Sequence, residues 1–244
     1  MHFDDDLQHA QKNELKPHLK KYWCIPPNEN AEFVAQMEDV LDVYSRPFDP
    51  RRPLVTLDEA SKQLISQICP SIPMRPGRIE RVDAEYRRNG TASVFMINAP
   101  LEGRRWVDVR PQRTAKDFAE VIRILCDERY PETEMIVLVM DNLNTHTIAS
   151  LYKAFEPEEA RRLARRLEIH YTPKHGSWLN MAEIELSVLS RQCMNTYFET
   201  IEELAAAVED WERSRNEKQT GIDWQFTVGK ARTKLKRLYP TLLD

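Results

Sequence analysis

Four acidic residues of this sequence have the type and the setting for divalent-metal chemistry. Asp58 and Asp141 each follow a short run of strand-forming residues, and Glu183 and Glu185 lie in a later helical stretch. Carboxylates brought together repel each other and need a cation between them. Mg²⁺ prefers such oxygen ligands and keeps positions free for water and phosphate. A pair of such ions can promote in-line displacement at phosphorus, so these acids indicate phosphoryl-transfer chemistry.

Each acid also has a purely structural interpretation. Asp141 could cap the helix that follows it, because an Asp side chain accepts hydrogen bonds from the first turn. Glu183 and Glu185 could be ordinary solvated helix acids. Helical geometry does not choose between these two, because each lies about 80° from the centre of the apolar stripe at about 100° per residue.

The elements that would position these acids can be located from hydrophobic periodicity and from caps. Strands are predicted at 53–58, 91–98, 105–109, 135–141 and 167–171. Helices are predicted at 30–44, from 114 to Pro131, at 147–155, from Pro157, at 179–193, from Thr200, and at 229–238. Residues 60–90 contain Pro, Gly and Arg and are predicted to be a long irregular insertion.

The order of these elements predicts an α/β fold. Three early strands, two of them joined as a hairpin, are followed by alternating helices and strands. This order matches the ribonuclease H-like architecture, a mixed five-stranded sheet flanked by helices, here with extra N- and C-terminal helices. The first and fourth strands are neighbours in that architecture. Asp58 and Asp141 would then face each other at the carboxyl ends of adjacent strands, where functional groups gather in open sheets.

Composition excludes several classes of protein. The net charge of −4 argues against a protein that simply coats nucleic acid, but not against an enzyme that cuts it. No apolar run approaches the roughly 20 residues needed to span a bilayer. The acidic N-terminus lacks the apolar region of a signal peptide. The four cysteines have no ligand-like spacing, which argues against a zinc site. These features predict a cytoplasmic protein without a membrane partner.

Three blocks of the sequence resemble the catalytic blocks of DDE transposases of the mariner-like superfamily, in its bacterial insertion-sequence branch. They are Leu57-Asp58-Glu59, the stretch 141–146 (Asp-Asn-Leu-Asn-Thr-His) and the stretch 170–183, and the resemblance extends over residues 11 to 240. In that family the third acid follows Leu-Asn and two further residues. Leu179-Asn180-Met-Ala-Glu183 matches this pattern, so the resemblance selects Glu183 over Glu185.

The resemblance implies a function and a set of site residues. Asp58, Asp141 and Glu183 would be the catalytic acids and would hold two Mg²⁺ or Mn²⁺ ions. The reaction would be cleavage of DNA strands, followed by transfer of the freed 3′-hydroxyl to target DNA. The partners would be double-stranded transposon ends and target DNA, bound by a homodimer in the bacterial cytoplasm and on its nucleoid. Residues expected to contact DNA are Asn142, His146, Lys174, His175 and Trp178, although His146 could instead fix the turn between strand and helix.

The resemblance also predicts a division into domains. Residues 1–52 are interpreted as an arm, the tail of a missing helix-turn-helix region, and 53–244 as the catalytic domain. A shortened chain has an alternative function: a non-autonomous remnant that binds DNA or a full-length transposase without catalysis. A further alternative is a nuclease of the same fold that acts on RNA–DNA hybrids.

Overall fold

A mixed five-stranded sheet with the strand order β3-β2-β1-β4-β5 organises the chain. The computed structural model describes residues 25–26, 28–69, 72–79, 81 and 85–241. Strands β1, β2 and β3 are antiparallel, whereas β4 and β5 run parallel to β1. The strands are β1 (Leu54–Gln67), β2 (Tyr86–Ala99), β3 (Arg104–Arg110), β4 (Ile136–Met140) and β5 (Leu167–Tyr171).

The helices cover both faces of this sheet. Their bounds are α1 (Ala31–Tyr44), α2 (Ala115–Ile124), α3 (Ile148–Ala154), α4 (Pro157–Ala164), α5 (Met181–Gln192), α6 (Ile201–Glu217) and α7 (Val228–Lys234). The predicted capping box at Thr114 is present, and Asn30 and Thr200 cap α1 and α6 through their side chains. A helix of the length and apolarity that crosses a membrane is not found among the described residues.

The prediction for the first strand was wrong in its length. β1 does not end at Asp58 but continues to Gln67, and β2 begins at Tyr86, so much of the segment 60–90 is an antiparallel ribbon. The pairing shifts between Leu64 and Ile65, and Gly90, with φ of +119°, lies opposite this bulge. Glycine is favoured there because other side chains rarely adopt a positive φ. The ribbon is stabilised by cross-strand pairing, which local sequence patterns do not report.

The parallel pairing of β1 with β4 places the first two acids side by side. Leu57 of β1 is in register with Met140, the last residue of β4. Asp58 and Asp141 follow these two residues directly. The expectation that the first and fourth strands are neighbours is therefore confirmed, although only β4 ends there.

The helix α1, in the predicted arm, packs onto the sheet. Its Phe33, Met37 and Leu41 are buried in one cluster with Val137 and Val139 of β4. The first 24 residues of the predicted 1–52 arm lie outside the described part of the chain. The boundary between arm and catalytic domain stays a prediction, but α1 shares its core with the sheet.

A polar cluster also fastens α1 and the connector after it to β5. Glu168 accepts from Arg46 at 2.6 Å and contacts Arg52. His170 Nδ1 lies 2.7 Å from Asp39 of α1, and His170 Nε2 lies 3.0 Å from Glu168. Burial alone would raise the pKa of Glu168, but Arg46, His170 and Arg52 outweigh it and lower the pKa to about 2.

Replacing Glu168 by Gln is expected to remove a pH-dependent part of the stability. The folded-state pKa is below the ordinary value of 4.5, so this contribution is present above about pH 4.5 and is lost as the pH falls towards 2. Because both arginines are partly exposed, we expect only about 1 kcal/mol after solvent screening. Urea unfolding from pH 2 to 7 should show Glu168→Gln less stable at neutral pH and equal to the unchanged chain at pH 2. Glu132→Gln, at an exposed acid, is the matched control, and a gap that persists at pH 2 would contradict the assignment.

Candidate active site

Asp58 and Asp141 are the residues that directly follow the last paired residues of β1 and β4, Leu57 and Met140. Asp58 is half-buried, and its Oδ1 accepts a hydrogen bond from the Glu59 N–H at 2.8 Å. Burial is the main cause that raises the pKa of Asp58 to about 7. The hydrogen bond opposes this shift, whereas the negative charges of Asp141, Glu183 and Glu59 add to it. Three neighbouring acids thus disfavour the charged form of Asp58.

Glu183 is brought to this place by the first turn of α5. Asn180 caps the helix, since its Oδ1 accepts from Ala182 N–H at 3.1 Å, and its Nδ2 donates to the Leu57 carbonyl at 2.9 Å. One side chain thus ties the start of α5 to the residue before Asp58. Tyr44 of α1 donates to the Leu179 carbonyl at 2.7 Å and holds the same turn from the other side.

The neighbouring acid Glu185 has a different environment. It is buried and forms an ion pair with Arg215 at 2.9 Å, and Arg105 Nε lies 3.3 Å from its other oxygen. Both oxygens of Glu185 are therefore used in a structural ion network. Glu183 contributes to the raised pKa of Asp58, whereas Glu185 does not. This difference favours Glu183 as the third acid, an assignment that stays a prediction.

Three residues of the quoted blocks, Glu59, Asp141 and His146, form contacts that the sequence patterns did not predict. His146 Nε2 lies 2.9 Å from Oε2 of Glu59, and its Nδ1 contacts Oδ1 of Asp141. Burial alone would lower the pKa of His146, but the bonds to Asp141 and Glu59 outweigh it and raise the pKa to about 9. Glu59, Asp141 and His146 bring potential ligand atoms within 4.8 Å of one another. The sequence contains one signal for this group of residues, because a second acid, Glu59, directly follows Asp58.

Three of the residues expected to contact DNA line a cleft beside Asp141. Asn142, Lys174 and His175 are exposed and border a cavity of about 670 Å³. Asn30, which caps α1, and Gln36 of α1 also line this cavity. The cleft is open to solvent and contains both a carboxylate, Asp141, and a cationic side chain, Lys174.

The other two residues expected to contact DNA are placed differently. His146 is only 1% exposed, which disfavours a DNA contact and favours the alternative that it fixes the turn after β4. Trp178 is partly buried against the α1 cluster, and its ring meets Phe226 edge-on at 5.6 Å. These contacts show that the ring takes part in packing, and a DNA contact by Trp178 stays a prediction.

The donor set near Asp58 fits a hard divalent cation. Asp58, Asp141 and Glu183 come from three separate elements and offer only oxygen atoms, the ligands that Mg²⁺ and Mn²⁺ prefer. Burial is the main cause of the raised pKa of Asp58, and the negative charges of Asp141, Glu183 and Glu59 add to it. A bound cation would relieve this repulsion.

The chain is similar to known proteins in family and in fold. The family model described as DDE superfamily endonuclease matches residues 53–205. The Mos1 mariner paired end complex with Mn is 13% identical, with a TM-score of 0.56 over 91% of this chain and 72% of that chain. The Mos1 strand transfer complex is 13% identical, with a TM-score of 0.58 over 91% of this chain and 71% of that chain. A pre-cleavage Mos1 transpososome is 14% identical, with a TM-score of 0.53 over 91% and 72% of the two chains.

A search of curated proteins finds no match to this chain. At the identities given above, the likeness to Mos1 establishes the fold alone, and that fold is ribonuclease H-like, as the sequence predicted. The family model covers more than half of the 244 residues, including Asp58, Asp141 and Glu183. The chain therefore belongs to the DDE superfamily endonucleases and has the catalytic fold of a mariner transposase.

Proposed function

We propose that this chain is a transposase catalytic domain that cleaves DNA strands and transfers the freed 3′-hydroxyl to target DNA. The observation that carries the proposal is the placement of three acids by neighbouring elements. Asp58 and Asp141 directly follow the paired residues Leu57 and Met140, and Asn180 ties the start of α5, which carries Glu183, to Leu57. Membership of an endonuclease family and the mariner fold support the same reaction. The more detailed placement in the bacterial insertion-sequence branch stays a prediction from the motifs.

Asp58, Asp141 and Glu183 would hold the divalent cations, two in number by the family resemblance. One of the similar Mos1 structures is a paired end complex with Mn, and we extend this class of metal to our chain as part of the proposal. When bound, Mg²⁺ or Mn²⁺ ions activate an attacking oxygen and stabilise a leaving oxygen at phosphorus.

The protein groups would orient the DNA for two displacements. In the first, the oxygen of a water molecule attacks a backbone phosphorus and the bond to the 3′ oxygen breaks, which leaves a 3′-hydroxyl and a 5′-phosphate. In the second, that hydroxyl attacks a phosphorus of the target strand and displaces its 3′ oxygen. Lys174 and His175 at the cleft are suited to contact phosphates and so to set the register of the strand. Double-stranded DNA and a second copy of the chain, assembled on it, are the proposed partners.

A plasmid-nicking assay tests this function. The chain should convert supercoiled DNA to nicked circles in the presence of Mn²⁺ or Mg²⁺ and should lose this activity in EDTA. Asp141→Asn, which keeps the shape of the side chain and removes its charge, should reduce nicking below detection. An oligonucleotide with a free 3′-hydroxyl should become joined to the plasmid by the unchanged chain only.

Two results would contradict the proposal. Nicking by Asp141→Asn at the rate of the unchanged chain would show that the activity comes from elsewhere. DNA binding without any metal-dependent nicking would favour the non-autonomous alternative. Preferential cleavage of an RNA–DNA hybrid over duplex DNA would favour the hybrid nuclease.

A further inference from the structure

Asp58 and Glu59 are adjacent in the chain but lie on opposite faces of the sheet. Successive side chains of a strand alternate in direction. Val55 and Leu57 pack into the core beneath α2 and α3, and Glu59 continues this row. Asp58 belongs to the other row, which faces α5 and Glu183. Asp141, at the end of the neighbouring strand, is therefore accessible to groups from both faces.

On the face beneath α2 and α3, His146 bridges Glu59 and Asp141. Its Nε2 lies 2.9 Å from Glu59 Oε2 and its Nδ1 contacts Asp141 Oδ1. The ring lies against Phe118, with centroids 4.9 Å apart, and the Tyr171 hydroxyl donates to the His146 carbonyl at 3.0 Å. Both the ring and its backbone are therefore held in place.

Glu59 has no access to a substrate in this arrangement. Its side chain is 1% exposed, and the second side chain that pairs with it, Arg113, lies 3.5 Å from Oε1. Burying a carboxylate is costly unless it is paired and hydrogen-bonded. Glu59 contacts Arg113 through one oxygen and His146 through the other, and His146 in turn contacts Asp141. The contact through His146 connects the buried carboxylate to an acid of the candidate site.

We propose that Glu59 and His146 are positioning residues that fix the orientation of the Asp141 carboxylate. His146 holds Oδ1 from the face of α2 and α3, while the hydrogen bonds of the described residues leave Oδ2 without a donor. Oδ2 is then the oxygen available to a cation shared with Asp58 and Glu183. Partners of this kind, behind the metal ligands, commonly change metal affinity or activity by about 10–100-fold when they are replaced. This inference rests on the proposed metal-dependent function.

Two substitutions at His146 separate positioning from general stability. The amide of Asn lies near the place of Nδ1 and can still reach Asp141, whereas the amide of Gln lies near Nε2 and reaches Glu59 instead. We expect His146→Gln to weaken Mn²⁺ binding to the DNA-free chain about 10-fold or more, and His146→Asn to weaken it less. Binding would be followed by electron paramagnetic resonance and calorimetry, beside thermal unfolding of each variant.

Matched controls make the result specific. His170→Gln replaces a histidine that also bridges two carboxylates, Asp39 and Glu168, beneath α1, and it should leave Mn²⁺ binding unchanged. Glu59→Gln, which preserves shape, should weaken binding in the same direction as His146→Gln. Asp141→Asn should weaken binding most, and adding His146→Gln to it should have no further effect, because coupled residues are not additive.

Several outcomes would overturn the proposal. One is unchanged Mn²⁺ affinity in His146→Gln and Glu59→Gln, and another is a loss that adds fully to that of Asp141→Asn. Nitrogen hyperfine coupling in the Mn²⁺ spectrum would make His146 a direct ligand and would also overturn it. In these cases the proposed function stands, because the unchanged chain binds metal. Absence of Mn²⁺ binding by the unchanged chain would overturn both.

Discussion

Glu183→Gln is expected to reduce metal-dependent DNA cleavage about a thousandfold while the free energy of unfolding stays the same within about 0.5 kcal/mol. A thousandfold loss corresponds to about 4 kcal/mol of activation free energy, which is in the range that a correctly held metal contributes. Glu183 is half-buried, and no ion pair of the described residues involves it, so the amide can replace the carboxylate without leaving a buried charge unpaired. Single-turnover nicking and urea unfolding of the same preparation would measure both quantities.

The neighbouring Glu185 supplies the control for this experiment. Glu185→Gln changes the same side chain two positions along α5 but disturbs the buried pairs with Arg105 and Arg215. We expect this variant to lose stability and, at a temperature where it is folded, to keep most of its cleavage rate per folded molecule. The reverse pattern, with cleavage lost in Glu185→Gln and retained in Glu183→Gln, would show that the third acid has been assigned incorrectly.

Arg105→Met is expected to have the largest effect on stability, about 3–5 kcal/mol. Arg105 is fully buried in β3, where it donates to the carbonyls of Arg215 at 3.1 Å and Thr220 at 2.5 Å and faces Glu185. Methionine has a similar length but leaves Glu185 with Arg215 as its remaining cationic partner and leaves two carbonyls without their donor. Removing one member of a buried ion network in this way leaves charge uncompensated in a medium of low polarity.

Urea unfolding measures this loss, and two further variants locate its cause. Arg105→Met combined with Glu185→Leu removes the buried acid as well and should recover part of the lost stability, because an apolar pair of similar volume avoids the desolvation cost. Arg215→Met should cost less than Arg105→Met, since the Arg215 side chain is partly exposed. A loss below about 1 kcal/mol for Arg105→Met would mean that the network contributes little.

Side chains of α6 next to this ion network explain how β3 can form the edge of the sheet. Asn216 of α6 accepts from Arg105 N–H at 2.9 Å and donates to its carbonyl at 2.7 Å, and Glu212 accepts from Val107 N–H at 2.8 Å. Side chains of α6 thus satisfy backbone groups that an edge strand would otherwise expose for pairing with another chain. The same helix supplies Arg215, so the network that stabilises this edge also holds α5, which carries Glu183.

The sequence by itself determined the elements whose signals are local. The apolar run before Asp141, the capping box at Thr114 and the N1 proline at Pro157 were interpreted correctly, because strand burial, capping and dihedral restriction act within a few residues. The order of these elements was sufficient to predict that β1 and β4 are neighbours. From that prediction followed the proximity of Asp58 and Asp141.

Only the tertiary structure decided which side chains meet at the site. The extension of β1 to Gln67 depends on pairing with β2, and the difference between Glu183 and Glu185 depends on two arginines from β3 and α6. Helical geometry treated the two acids alike because it contains no information about what each flank of α5 faces. The contact of His146 with Glu59 and Asp141 likewise joins residues 87 and 5 positions apart, from 146 − 59 and 146 − 141. Such contacts arise from packing between elements, to which local propensity and periodicity do not respond.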